Sequence, residues 1–307
     1  MNASRHRDAE APKLAAGVLE TFVTHVAEQG RAHYRDLPWR RTQDPYAVLV
    51  SEVMLQQTQV LRVLGHWQEW LASFPTLDAL AAAPLEAVLQ VWQGLGYNRR
   101  AIALKRTAER LVAEREAAGG PAGIPATLPA EEAALLALPG IGPATAAGVR
   151  AFAFGLPGVY LETNVRTVVL HELFADSDGV TDREIEPLLR AALVEAQRQG
   201  IGPRAWYYAL LDHGAHLKRT VPNPSRRSAH HSRQSAFEGS HRQKRAWLLR
   251  AVMAGPGETA ESYAAALSAA EAEAGRDPLD ESAVFTILES LAAEGFLRTD
   301  DECWFVN

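Results

Sequence analysis

Two glutamates and two glycine-bearing turns are the groups in this 307-residue chain whose spacing could do chemistry. Leu138-Pro-Gly-Ile-Gly-Pro-Ala-Thr145 is a hairpin that opens a helix. A helix that starts this way leaves backbone N–H groups pointing outward, and its dipole favours an anion there. Gly140, Ile141, Gly142, Ala144 and Thr145 therefore form a candidate phosphate seat. Leu161-Glu-Thr-Asn164 follows and sets a lone carboxylate, Glu162, after the strand-like Val159-Tyr-Leu161. As a helix-start acid, Glu162 has a plain structural use as well, with Thr163 or Asn164 as the expected cap. A phosphate seat beside a carboxylate points to chemistry on a nucleic acid.

A second carboxylate, Glu52, lies in Leu49-Val-Ser-Glu-Val-Met-Leu-Gln-Gln-Thr-Gln-Val60. On a continuous helix, Glu52, Gln56 and Gln59 share one face. Glutamine amides both donate and accept, which suits a base edge, although the same spacing also serves an ordinary solvent face. Gly94-Leu-Gly-Tyr97-Asn-Arg-Arg-Ala101 places a tight turn before a helix. Its Tyr97 is either a wedge for a base stack or a packed aromatic. Leu37-Pro-Trp-Arg40 offers an aromatic wall and a guanidinium, or simply a core tryptophan.

The elements that must hold these groups are helical. Apolar periodicity predicts helices over Leu14–Gln29, Ala47–Leu64, Leu77–Ala83, Pro84–Gln93, Tyr97–Ala117, Pro129–Leu138, Ala144–Phe154, Asn164–Phe174, Asp182–Gln197 and Pro203–Lys218. Gly119-Gly-Pro-Ala-Gly-Ile-Pro125 is a strong break. Near Arg242 a different unit begins, with helices over Arg242–Ala254, Ala260–Ala274 and Ser282–Glu294. Two short strands follow around the polar turn inside Phe296–Val306. Three helices and a terminal hairpin predict a small winged-helix-like module.

Hydrophobic residues make up 47% of the chain, and alanine and leucine dominate, which favours a mainly α protein with one or two cores. No apolar run is long enough to span a membrane. The polar N-terminus lacks the apolar centre of a secretory signal, so a cytoplasmic location is expected. Cys303 is the single cysteine, which excludes internal disulfides and thiolate-held clusters. His213, His216, His230, His231 and His241 lack a neighbouring cysteine and the tight pairing of a zinc site, so no metal is expected. Net charge is −6, yet His216 to Arg245 holds eight Lys or Arg residues and one acid, Glu238. A local basic face on an acidic protein is compatible with DNA binding.

In combination these motifs resemble the helix-hairpin-helix DNA glycosylases, and within them the MutY-type adenine glycosylases. Leu37-Pro-Trp-Arg40, Ser51-Glu-Val-Met-Leu-Gln-Gln-Thr-Gln-Val60, Gly94-Leu-Gly-Tyr97, Leu138-Pro-Gly-Ile-Gly142 and Leu161-Glu-Thr-Asn-Val165 follow the family order from about Phe22 to Leu217. The resemblance implies a two-domain fold. Residues 46–161 would form a six-helix barrel with the helix-hairpin-helix. Residues 14–45 with 162–238 would form the second helical domain, 239–307 the small module, and 1–13 a disordered tail. It implies a monomer bound to double-stranded DNA carrying a lesion or mismatch, with the target nucleotide flipped out.

On the same resemblance, Glu52 is the general acid and Glu162 stabilises the sugar cation, as in a two-carboxylate glycoside hydrolysis, with Asn164 aligning the site. Trp39, Arg40, Gln56, Gln57 and Tyr97 would form the base pocket or wedge. Arg227 and Arg233 would join the hairpin in gripping phosphate, with a monovalent cation compatible with the hairpin.

Departures from the family are equally specific. Glu162 stands where the family has Asp. Ala144 stands where bifunctional relatives carry a Schiff-base lysine, so base removal without efficient lyase cleavage is expected. Lys218, Ser225, Ser228 and Gln234 stand at the spacing of four cluster cysteines, so no iron–sulfur cluster is expected. Residues 242–307 are too short for the domain that reads 8-oxoguanine in MutY enzymes. The expected target is adenine. The alternatives are a deaminated, alkylated or oxidised base, or lesion binding without catalysis.

Overall fold

The computed structural model describes residues 17–120, 124–229 and 236–307. The expected tail at 1–13, Arg233 and Gln234 lie outside the described residues. The helices, in chain order, are α1 (Val18–Ala32), α2 (Pro45–Leu55), α3 (Val60–Ser73), α4 (Leu77–Ala82), α5 (Leu85–Trp92), α6 (Arg99–Ala117) and α7 (Glu132–Leu136). They continue as α8 (Pro143–Ala153), α9 (Thr163–Glu172), α10 (Asp182–Arg198), α11 (Pro203–Thr220), α12 (His241–Ala254), α13 (Ala260–Glu273) and α14 (Glu281–Ala293). Strands β1 (Glu258–Thr259), β2 (Leu297–Asp300) and β3 (Cys303–Val306) complete the described elements. The mainly helical expectation holds. Among the described residues, no helix is long and apolar enough to cross a membrane.

The helix expected over Ala47–Leu64 is two helices. α2 stops at Leu55, and Gln57 takes a left-handed φ of 54° that a helix cannot contain. α3 then runs on to Ser73, because Val63, Trp67 and Trp70 recur at helical spacing and bury one face.

The chain divides into two compact units, Met1–Val53 with Leu128–Ser232 and Met54–Thr127 with Arg233–Asn307. These divisions differ from the expected boundaries at residues 46, 161 and 239. Residues 128–161 belong to the first unit, where α8 packs on α11. The C-terminal helices belong to the second, where Glu294 at the end of α14 ties them to α6. Its carboxylate accepts two bonds from Arg99, both 2.6 Å, and one from Arg245 at 2.8 Å. The winged-helix-like arrangement itself is present. α12, α13 and α14 pack together, and an antiparallel sheet in the order β1-β3-β2 pairs Glu258 with Trp304 and Thr299 with Trp304. The two-residue β1 is too short to show in sequence.

In the first unit α11 is the central helix, packed by α1 and α9. Its Asp212 is fully buried and binds two guanidinium groups: Arg40 at 2.7 and 2.9 Å and Arg35 at 2.6 Å. This fixes the Leu37–Arg41 turn to the helix. Asp212→Ala leaves the buried Arg40 charge uncompensated, so a loss of about 3–5 kcal/mol in urea unfolding is expected. A loss under about 1 kcal/mol would show that the pair holds nothing together.

Candidate active site

Glu52 sits near the end of α2, in the first unit. Its carboxylate occupies a gap that exists because position 148 on α8 is glycine: a Cβ there would lie 2.2 Å from Glu52 Oε2 and 2.9 Å from the Tyr160 ring. Tyr160, itself buried, hydrogen-bonds the Glu52 carboxylate. Burial pushes the Glu52 pKa up to about 8; the Tyr160 bond opposes the shift and the charge of Glu162 adds to it. At neutral pH Glu52 is therefore a carboxylic acid with a proton to give.

Glu162 is also buried, but it has more hydrogen-bond donors around it. It is itself the N-cap of α9, in place of the expected Thr163 or Asn164, and its Oε1 accepts the backbone N–H groups of Asn164 at 2.6 Å and Val165 at 3.0 Å. Asn164 Nδ2 donates to Oε2 at 3.4 Å. Lys218 Nζ in turn donates to Asn164 Oδ1 at 2.8 Å. Burial raises the Glu162 pKa above the usual carboxylate range, and the Lys218 charge and the helix N–H groups oppose that rise without cancelling it. Burial thus raises both carboxyls, but Glu162 has partners for its charged form, a cation and helix N–H groups, that oppose the rise, whereas for Glu52 the opposing partner is a tyrosine hydroxyl. Asn164 is brought to Glu162 as expected. Tyr160, Gly148 and Lys218 were not assigned roles. Of these, only the glycine inside an alanine-rich helix carried a local signal, since glycine there costs stability unless something must approach closely.

The hairpin residues stand at the start of α8. Gly140 has φ of 72°, which makes glycine the natural occupant, and Gly142 is the N-cap with open space beside it. Ile141 is buried and anchors the turn, while Ala144 begins the helix as its second residue. Thr145 is also buried.

In the second unit, Gln56 and Gln57 lie in the turn after α2. Tyr97 is 40% exposed with a left-handed φ of 49°. Arg100, one of the two arginines that open the helix after the Gly94–Tyr97 turn, builds this cluster. Its guanidinium donates to the carbonyls of Met54, Gln56, Leu95 and Gly96 and to Thr58 Oγ1, at 2.6–3.2 Å. Burial lowers its pKa to about 10. One arginine thus holds adjoining turns in which Gln57 and Tyr97 both take left-handed φ.

Three expectations need correction. Arg40 is buried, and both its NH groups bind Asp212, so it is a structural cation and not a pocket guanidinium. Trp39 is 4% exposed and belongs to the core. Arg227 donates to the carbonyls of Leu170, Phe174 and Ala175, which caps the C-terminal end of α9 instead of offering a free charge to phosphate.

Residues 50–193 match the family described as HhH-GPD superfamily base excision DNA repair protein. Similar curated proteins include the adenine DNA glycosylase of Mycolicibacterium smegmatis, 41% identical over 47% of this chain and 47% of that protein. Those of Buchnera aphidicola (35% identical, 50% of this chain, 41% of that protein) and Homo sapiens (42% identical, 44% and 25%) are similar too. The chain thus spans less than half the length of each of these relatives. Among solved structures, a thermostable thymine-DNA glycosylase aligns with a TM-score of 0.54 at 22% identity, over 64% of this chain and 86% of that one. A non-covalent endonuclease III–DNA complex aligns with 0.51 at 18% identity, over 75% and 94%. At these identities the likeness is one of fold.

The iron–sulfur cluster implied by the family resemblance does not fit here. Lys218 is committed to Asn164, and Ser225 Oγ bonds Asn223 at 2.8 Å. The segment is instead tied by Val180 N to Arg227 O at 3.1 Å and Ala229 N to Val180 O at 2.9 Å.

Because the Glu52 pKa is higher folded than unfolded, its contribution to stability is full below about pH 4.5 and is lost as pH rises through about 8. Wild type should therefore lose urea resistance relative to Glu52→Gln between pH 5 and 8. Parallel curves for the two proteins would show that Glu52 titrates normally.

Proposed function

We propose that the protein is a monofunctional DNA glycosylase that removes adenine from mispaired double-stranded DNA. The observation that carries this reading is the pair Glu52 and Glu162, one kept protonated by burial and the other bonded by a helix N-terminus with the Lys218 charge nearby, which favour its anion against burial. Glu52 gives its proton to the departing base, and the electron pair of the C–N glycosidic bond leaves with that base. The sugar becomes a cation, which Glu162 stabilises through the oxygen not taken by the α9 backbone. Water adds to the sugar carbon, and its proton returns to Glu52. The extra methylene of Glu162 is absorbed by the cap, where the side chain folds back on its own helix.

Ala144 supplies no amine, so strand cleavage is not part of the reaction. The hairpin at Gly140–Gly142 is proposed to seat a backbone phosphate, with a monovalent cation able to share it. Tyr97 and Gln57 are proposed to meet the DNA, and the names of the similar adenine glycosylases support adenine as the target. The proposed cofactor content excludes an iron–sulfur cluster.

Single-turnover assays on duplexes with adenine opposite 8-oxoguanine or guanine, with deaminated bases and with oxidised pyrimidines, test the reading. Abasic sites should form at adenine, with strand breaks only after alkali. Glu52→Gln should lower the rate about 10²–10⁴-fold, and the wild-type rate should decline above about pH 8 as Glu52 loses its proton. Product from another base alone would reassign the substrate, and none from any duplex would favour lesion binding without catalysis.

Gly148→Ala displaces the Glu52 carboxylate. A rate loss of roughly 10²-fold is expected with DNA affinity retained. An unchanged rate would mean that the gap does not position the acid.

A further inference from the structure

The first unit holds a second cluster of chemistry-bearing side chains, separate from the carboxylate pair. His25 on α1, Glu172 at the end of α9 and His213 on α11 bring their donor atoms within 4.8 Å of one another. His213 Nε2 is 2.8 Å and His25 Nε2 3.6 Å from the same oxygen, Glu172 Oε1. The two imidazoles meet edge-on, with centroids 5.5 Å apart and planes at 83°. His213 is 4% exposed, and its Nδ1 has no hydrogen-bond partner, so no bond at that nitrogen fixes which one carries the proton.

We propose that His25, Glu172 and His213 bind one divalent transition-metal ion, with zinc the best match. Two imidazole nitrogens and one carboxylate oxygen are donors that zinc accepts in a tetrahedral site, with water as the fourth ligand. The open side is that of His25, whose side chain is 43% exposed and gives the ion a path in. A metal replaces the proton shared by His213 and Glu172, and an outward shift of about 0.5 Å between these two donors gives tetrahedral spacing. The ion joins three helices through three points. Glu172 lies ten residues after Glu162 along α9, or about 15 Å at 1.5 Å per residue, so the ion takes no part at the carboxylate pair. Its effect is to fix the far end of the helix that carries Glu162 and Asn164. The proposal does not depend on the enzymatic reading.

The test uses the full chain without an affinity tag, stripped with a chelator and dialysed against zinc chloride. One zinc per chain should be retained, and the thermal midpoint should rise with zinc. His25→Ala, at an exposed position that leaves the fold intact, should abolish the midpoint rise and weaken retention at least 100-fold. Glu172→Gln should act in the same direction. No retained zinc in the wild type overturns the proposal. Retention unchanged in His25→Ala overturns it too, and would place the ion elsewhere, for example at the stacked His33 and His216 pair.

Discussion

The close approach of α11 to α9 is the constraint on which the first unit depends. A Cβ at position 214 would lie 2.2 Å from the carbonyl oxygen of Asn164, so only glycine lets the two helices meet at this depth. With that contact made, α11 delivers side chains to both ends of α9. Lys218 reaches Asn164 near its start, and His213 reaches Glu172 at its end. The same helix holds Arg35 and Arg40 through Asp212 and presents Tyr207 against Tyr160 with ring centroids 5.4 Å apart. Packing and electrostatics are therefore set by one interhelical distance.

Within this frame, buried carboxylates are handled in different ways. Asp212 is neutralised by two guanidinium groups and serves structure. Glu162 is raised by burial, while a helix start, an amide and a lysine work in favour of its anion. Glu52 receives no cation; it has a tyrosine hydroxyl and a glycine gap, and it keeps its proton instead. The desolvation penalty is common to all of them, and the partner decides which protonation state survives. That difference is the physical basis of the proposed division of labour between acid and anion.

The second unit uses a charged side chain in another way. Arg100 saturates backbone carbonyls from two turns and so holds Gln57 and Tyr97 in left-handed conformations. The same unit uses Arg99 and Arg245 on Glu294 to attach the terminal three-helix module. The helix of that module that precedes the hairpin, α14, carries Glu281 and Glu289 and no lysine or arginine, so it is poorly suited to a DNA groove.

Much was legible in the chain itself. Helical periodicity placed most helices to within a few residues, because each buries one stripe. The two-glycine hairpin could be read because Gly140 needs a left-handed φ. Both carboxylates were recognisable by their motifs. The end of α2 escaped, because apolar residues resume at Val60 just beyond the polar Gln56–Gln59, while the turn between is held by Arg100 from more than forty residues away. The fates of Arg40 and Arg227 escaped for a like reason. A guanidinium looks the same in sequence whether it awaits phosphate or is consumed by Asp212 or by the carbonyls at the end of α9. Tyr160 as the partner of Glu52, Lys218 as the support of Asn164, and His25 beside His213 are contacts across long sequence separations. Sequence determined which groups could ionise; only tertiary structure decided their partners, and in a poorly solvated interior the partner sets the charge.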